Sequence, residues 1–506
     1  MSNFQDPNLI VKNGVFLFVR LLFVLFLAFF TTRLTLQILG DENYGIYNIV
    51  GGIVAIFNII SLPIRDSLQR FFNVEFAKGE LDSGKILGTS VKIVCYVLVV
   101  LTLLYESLGL YIVNYIIDYP RDKTIVVNTI FQISALSNIF AFASVPYMSL
   151  LLSKENMGIP AFCEVFAAIL RIVLLVIIPY IPIDVLIPYS CIFLFVNLGL
   201  FLYYRHYCKK KYYTTFERYG VNDGLKKKMF SFSGWSFIEA ASGITITYVS
   251  NVFINIFGGI LFNTAYGVSK QLQQALSSFA INVLKASDPQ ITSGTAVHND
   301  NYRNQLVMTT AKISFLGVGF VYIVFHFDGE YLLSLWLKDV PKYTFEFCDI
   351  MLLSTIFTSL SSPFRTLIMA TGKIKKYFLS YGIVSVLAMA IMYILLKQGF
   401  AVVSVLYMIL LSSCVIFIVS VVSSIKFSSL SLQMVLRNLV PSLATLLLID
   451  MSYKYLNNRT GDSLGDAFFK IAVVAMIFIP MVYLIACNKS ERKMINCLLT
   501  RISRLK

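Results

Sequence analysis

The stretch GLYIVNYIIDYP, Gly109 to Pro120, returns in the second half of the chain as GEYLLSLWLKDVP, Gly329 to Pro341, with one residue inserted. Its neighbours return in the same order. YGIYN at Tyr44 comes back as YGVSK at Tyr266, VKI at Val91 as AKI at Ala311, and SVPYMSLLLSKENM at Ser144 as SSPFRTLIMATGKI at Ser361. The offset slips only from 222 to 217 along the way, which marks an internal duplication. It sets Asp66 opposite Asp288 and Lys92 opposite Lys312.

What is duplicated is built for a membrane. Of 506 residues, 57% are hydrophobic and only 14% charged, with a mean hydropathy of +0.76, whereas soluble chains carry about a quarter charged residues. Apolar windows long enough to cross a bilayer predict fourteen spans, near 14–38, 44–64, 88–112, 125–152, 158–179, 183–204, 229–257, 260–284, 306–326, 346–370, 377–396, 400–425, 432–451 and 467–487. The first has no small-residue cleavage site after it, so an anchored rather than a removed segment is expected. Each copy of the repeat holds six spans. An even number inserts both copies in the same orientation, as two pseudo-symmetric six-helix bundles sharing a cavity. The expected fold is therefore an all-α polytopic membrane protein with about 14 transmembrane helices. Its parts are an N-terminal bundle at 1–204, a basic linker at 205–228, a C-terminal bundle at 229–425, two additional helices at 426–487 and a basic tail at 488–506.

The net charge of +15 follows from topology. Alternate connections carry twenty-eight Lys and Arg on one side and eight on the other, with Lys470 counted among the eight. The richer side is cytoplasmic by the positive-inside rule, which places both termini there and needs no nucleic-acid partner. The run from Arg205 to Lys228 reads as a linker touching anionic membrane lipids. The tail sets Met494, Leu498, Ile502 and Leu505 on one helical face, as an interfacial helix does. Eight scattered cysteines without a C-x-x-C pair, and three distant histidines, indicate neither a disulfide framework nor a metal site.

Six cations remain inside the spans: Arg20, Arg33, Lys92, Arg171, Lys270 and Lys312. A charge in lipid costs several kcal/mol unless it meets a partner or a cavity, so each is a candidate for function. Lys92 and Lys312 lie near cytoplasmic ends, where a long stem snorkels to water. Arg20, Arg33, Arg171 and Lys270 are the candidate substrate-binding cations. A cationic majority implies an anionic passenger, and phosphate suits both the arginine fork and the lysine point charge. The intramembrane acids Glu239 and Glu164 are the candidates for ion coupling. The repeat sets Arg20 opposite Glu239, a pairing that would join the two halves. Glu164 and Arg171 share a face of one span, about 10 Å apart along the axis. At the cytoplasmic ends of spans 2 and 8, Asp66, Arg70, Asp288 and Gln290 are gate candidates; the alternative there is helix-end turn chemistry.

The segments LGDENYGIYNIVGGIVAIF, LQRFF and EFAKGE of the first half resemble the Wzx-type oligosaccharide flippases of the multidrug and oligosaccharidyl-lipid/polysaccharide (MOP) exporter superfamily. So do NTAYGVSKQLQQALSSFAINVLKASDPQITSG, LWLKDVPKYT and PFRTLIMATGKIKKY of the second. The resemblance implies a MATE-like fold and movement of an undecaprenyl-diphosphate-linked oligosaccharide from the cytoplasmic to the periplasmic leaflet by alternating access. Such transport serves O-antigen, capsule or exopolysaccharide assembly in the bacterial inner membrane. It further implies a cavity lined by cations in the roles of Arg20, Arg33, Arg171 and Lys270. Coupling to an H+ or Na+ gradient without any cofactor, and polysaccharide polymerase and chain-length machinery as partners, complete the expectation.

Three alternatives stand beside this reading. The same fold serves cation-coupled multidrug efflux, whose cavities favour acids, against which Arg20 and Lys270 argue. Another lipid-linked cell-wall precursor would meet the same cations. A membrane glycosyltransferase or polymerase would need larger outer loops than the chain has, the acids Asp41 and Glu42 lying in a loop of about six residues. No G-x-x-x-x-G-K-[ST] occurs, so no P-loop energises transport.

Overall fold

The computed structural model describes residues 61–492 apart from 79–82, 116–120, 155, 213–222, 338–339, 458–463 and 489–490, together with single positions between Phe23 and Ile60. Among the described residues every regular element is helical. In order these are α1 (Ser61–Lys78), α2 (Ser83–Leu104), α3 (Leu110–Tyr115), α4 (Thr124–Ala143), α5 (Val145–Ser153), α6 (Gly158–Ile177) and α7 (Leu186–Lys211). They continue with α8 (Asp223–Ala296), α9 (Asp300–Leu337), α10 (Thr344–Thr371), α11 (Lys375–Lys397), α12 (Ser404–Phe427), α13 (Leu432–Asn457) and α14 (Leu464–Met481).

Eleven helical segments among the described residues are long and apolar enough to cross a membrane, as a multi-pass membrane protein requires. They match spans 3 to 7 and 9 to 14 of the sequence reading. Spans 1 and 2 fall largely outside the described residues. Span 8 is the second part of α8, where Lys270, Gln271, Gln273 and Gln274 dilute the apolar character. The two parts of α8 meet at Gly259, whose φ of 77° and ψ of −170° only glycine adopts readily. Across this break the Tyr266 hydroxyl donates to the Thr247 carbonyl at 3.4 Å.

Polar residues sit within these apolar helices because their side chains are satisfied locally. Hydroxyls donate to carbonyls one turn back, as Thr89 does to Lys85 and Ser420 to Ile416, both at 2.7 Å. In lipid, a hydroxyl without such a partner would be costly.

The chain forms two compact units, residues 1–241 with 292–298, and residues 242–291 with 299–506. In the first, α4 packs along α7 and α1 against α5. Asn197 donates to Ser137 Oγ at 2.9 Å and the Tyr105 hydroxyl to Asn138 at 3.1 Å, the interhelical bonds expected where lipid provides no hydrophobic drive. The start of α8 belongs to this unit, with Ser67 on α1 donating to the Met229 carbonyl at 3.1 Å.

In the second unit, α10 packs against α9 and α12, and α13 against α9 and α14. One core gathers Leu276, Phe315, Val318, Ile323, Leu352, Ile449, Tyr453 and Val474. Phe320 of α9 meets Phe478 of α14 at 4.8 Å between ring centres.

The duplicated stretch shows why each copy begins with glycine. A Cβ on Gly109 would stand 2.5 Å from the Phe131 ring, and one on Gly329 2.8 Å from the Phe345 ring. In both copies the glycine admits an aromatic ring from the following long helix, α4 or α10. The copies differ at their prolines. Pro146 starts α5 after a turn at Ser144, whereas Pro363 lies inside an unbroken α10.

Candidate functional site

Arg171 lies in the middle of α6, half-buried, with its guanidinium 5.1 Å from the centre of the Phe193 ring on α7. Phe193 belongs to an aromatic group. Tyr47 stacks on it at 5.9 Å and meets Tyr189 edge-on at 4.6 Å, and Tyr189 meets Phe193 at 5.4 Å. Tyr47, Tyr189 and Glu164 are the electrostatic neighbours of Arg171. Its Nε is buried and makes no hydrogen bond, and among the described residues Arg171 forms no ion pair. A guanidinium over one ring face keeps its fork of donors available.

Lys270, at a different position of the repeat, is the candidate cation of the second unit. Its ammonium donates to Gln273 Oε1 at 2.9 Å and lies 5.8 Å from the centre of the Tyr266 ring. Gln273 in turn donates to Ser354 Oγ on α10 at 3.1 Å. This chain of neutral groups aims the ammonium without neutralising it. Further along the same helix, Leu272, Leu276 and Phe279 line an apolar cavity of about 290 Å³ with Gly317, Val321 and Phe325 of α9, and Lys270 is not among its lining residues.

The remaining expectations divide. Arg20 and Arg33 lie outside the described residues, so the pairing of Arg20 with Glu239 does too. Glu239 is 9% exposed within α8. Arg70 of α1 lies between the rings of Phe71 and Phe232, at 4.8 and 5.0 Å. Burial pushes its guanidinium down to about 10, with the charge of Glu75 acting in the opposite direction. Asp66 and Asp288 are half-buried, and Gln290, 1% exposed, accepts from the Tyr302 hydroxyl.

Two lysines depart from the sequence reading. Lys312 does not snorkel: it is 4% exposed, 2.5 Å from Glu491 and 3.2 Å from the Ala486 carbonyl. Its repeat partner Lys92 is exposed. The difference arises because the first copy has no counterpart of the chain that follows α14 and brings Glu491. Lys470, counted with the solvated outer cations, is fully buried against Asp328 at 2.5 Å.

Sequence reasoning missed the aromatic group beside Arg171, since tyrosines and phenylalanines are too common here to single out. Gln273 was legible in principle, being one turn from Lys270 on the same helix face. No cluster of His, Cys, Asp and Glu suited to a metal occurs among the described residues.

No family model and no curated protein matches the sequence. Solved structures do match the fold. One is an outward-facing multidrug resistance MATE family transporter of the MOP superfamily, with a TM-score of 0.66 at 12% identity, covering 84% of this chain and 98% of that one. Another is a MOP superfamily transporter from Pyrococcus furiosus, described by a reverse polarity of its binding pocket that suggests a different function. It has a TM-score of 0.63 at 12% identity, covering 82% and 95%. A third is the Vibrio cholerae MATE transporter VcmN in its bent form, with a TM-score of 0.62 at 14% identity, covering 83% and 98%. At such identities the likeness establishes the fold: the chain is all-α and MATE-like.

Proposed function

We propose that the chain is a flippase that carries an undecaprenyl-diphosphate-linked oligosaccharide from the cytoplasmic to the periplasmic leaflet by alternating access. The observation that carries this reading is the condition of Arg171 and Lys270. Arg171 lies in an apolar helix and Lys270 in the more polar second part of α8; they are held by an aromatic ring and a neutral amide, and neither has an ion pair among the described residues. A diphosphate supplies the missing charge, and the arginine fork matches its oxygens. Arg20 and Arg33 extend the same cationic set by sequence. Glu239 and Glu164 are the acids for coupling to an H+ or Na+ gradient, and Asp66, Arg70, Asp288 and Gln290 remain gate candidates. The site is the bacterial inner membrane with both termini cytoplasmic, and polysaccharide polymerase and chain-length proteins are the partners of such a step.

Multidrug efflux is the second reading, favoured by the likeness to a multidrug resistance transporter. A cationic drug would be repelled by the cations that a lipid diphosphate seeks. The test is to deplete the protein in its native cell, extract lipid-linked saccharides and measure how much is accessible from the periplasm. Accumulation of a completed, cytoplasm-facing intermediate is expected. Unchanged intermediates with new sensitivity to cationic drugs would make the protein an efflux pump.

A further inference from the structure

Within the second unit, four polar side chains from three helices meet, three of them buried and the fourth, Asn457, half-buried. Asp328 of α9 is 4% exposed, and Tyr453 of α13 and Lys470 of α14 are fully buried. The Lys470 ammonium donates to Asp328 Oδ1 at 2.5 Å and to Asn457 Oδ1 at 2.8 Å. The Tyr453 hydroxyl donates to the other carboxylate oxygen of Asp328. The Phe327 ring lies parallel to Tyr453, 5.3 Å between centres, and closes one side.

We infer that Asp328 and Asn457, with Tyr453 holding the other carboxylate oxygen in place, form a monovalent-cation site whose occupant is the ammonium of the chain's own Lys470. The carboxylate, with the neutral amide of Asn457 beside it, carries a single negative charge, so a monovalent ion balances the site and a divalent ion overcharges it. Carboxylate and amide oxygens converge on one nitrogen, leaving the place where that nitrogen sits as the binding point for a small ammonium or alkali cation. The tether makes occupancy intramolecular, hence independent of the ion concentration outside. It follows that α13 and α14 stay fastened to α9 whatever the surrounding salt, and that this acid takes no coupling ion from solution. The inference does not rest on the proposed substrate.

The test uses the purified full-length chain in detergent. Lys470→Ala empties the site, and its thermal midpoint is expected to fall by roughly 5–10 °C, since a buried carboxylate then lacks its partner. Methylammonium chloride should restore most of that loss, while choline chloride at equal ionic strength should not; the wild type should respond alike to both. A Lys470→Ala midpoint that is unchanged, or that is the same in the two salts, overturns the inference. If the single variant does not accumulate, Lys470→Met is compared with the double variant Asp328→Asn/Lys470→Met. The double variant, its site neutral, should accumulate where the single one does not, and equal failure of both overturns the inference.

Discussion

Arg171 and Lys470 are both cations set in apolar helices, and they end in opposite conditions. Lys470 is closed: fully buried, bonded to Asp328 and Asn457, with nothing left for a visitor to neutralise. Arg171 is open: half-buried, braced by Phe193 and with a buried Nε that has no acceptor. An intramembrane charge costs too much to persist without use. The closed one joins three helices, and the open one is the cation proposed to meet an arriving anion. Burial alone therefore does not separate the two; Lys470 has a carboxylate at hydrogen-bond distance, whereas Glu164 acts on Arg171 only through space.

The contrast breaks most directly at Arg171. Arg171→Glu should lower flipping by about 100-fold or more, since it removes a charge-assisted contact and adds repulsion. The amount of inserted protein should stay near that of the wild type, as measured by membrane-fraction immunoblot beside the lipid-linked intermediates. Lys270→Gln is milder because the neutral amide still bonds Gln273. A fall of about 10-fold in flipping is expected in the same assay, with stability unchanged.

The duplicated glycines sharpen the comparison from the structural side. Gly109→Ala and Gly329→Ala each force a Cβ against an aromatic ring, and overpacking of this kind costs about 1–3 kcal/mol. Thermal unfolding should show both losses while flipping per folded molecule is kept. Equal tolerance of alanine at both sites would separate the two copies from any shared packing rule.

The smallest effect concerns acid. Burial would raise the Glu491 carboxyl, but bonds from Lys312, the Asn488 backbone N–H and Thr309, with the Lys312 charge, together hold it below its usual value. A depressed carboxylate stabilises above its unfolded value, about 4.3, and that contribution fades as pH falls through the folded value. Lowering the pH through that window should loosen the join between Lys312 and the end of the chain. Glu491→Gln should remove this acid-dependent component, as read from midpoints across a pH series.

Much of this architecture was legible in the sequence because it rests on periodicity and repetition. Apolar windows located the helices, the gap between spans 7 and 8 fell at Gly259, and the repeat set Gly109 and Gly329 in matching surroundings. The cations Arg171 and Lys270 were legible because charge in an apolar run is rare. Their surroundings were not, since the rings of Tyr47, Tyr189 and Phe193 resemble dozens of other aromatics, and nothing in the sequence marks which of them face Arg171. Lys470 and Lys312 misled for a related reason. A lysine near a span end reads as solvated, and only the packing of α9 against the chain from α13 onward reveals Asp328 and Glu491 as partners.

The most direct test of the central claim is to deplete the protein in its native cell and restore it as wild type or as Arg171→Glu, quantifying lipid-linked oligosaccharide facing the cytoplasm. Wild type is expected to clear the cytoplasm-facing intermediate, and Arg171→Glu, inserted in equal amount, to leave it accumulated. Clearance by both would contradict the claim.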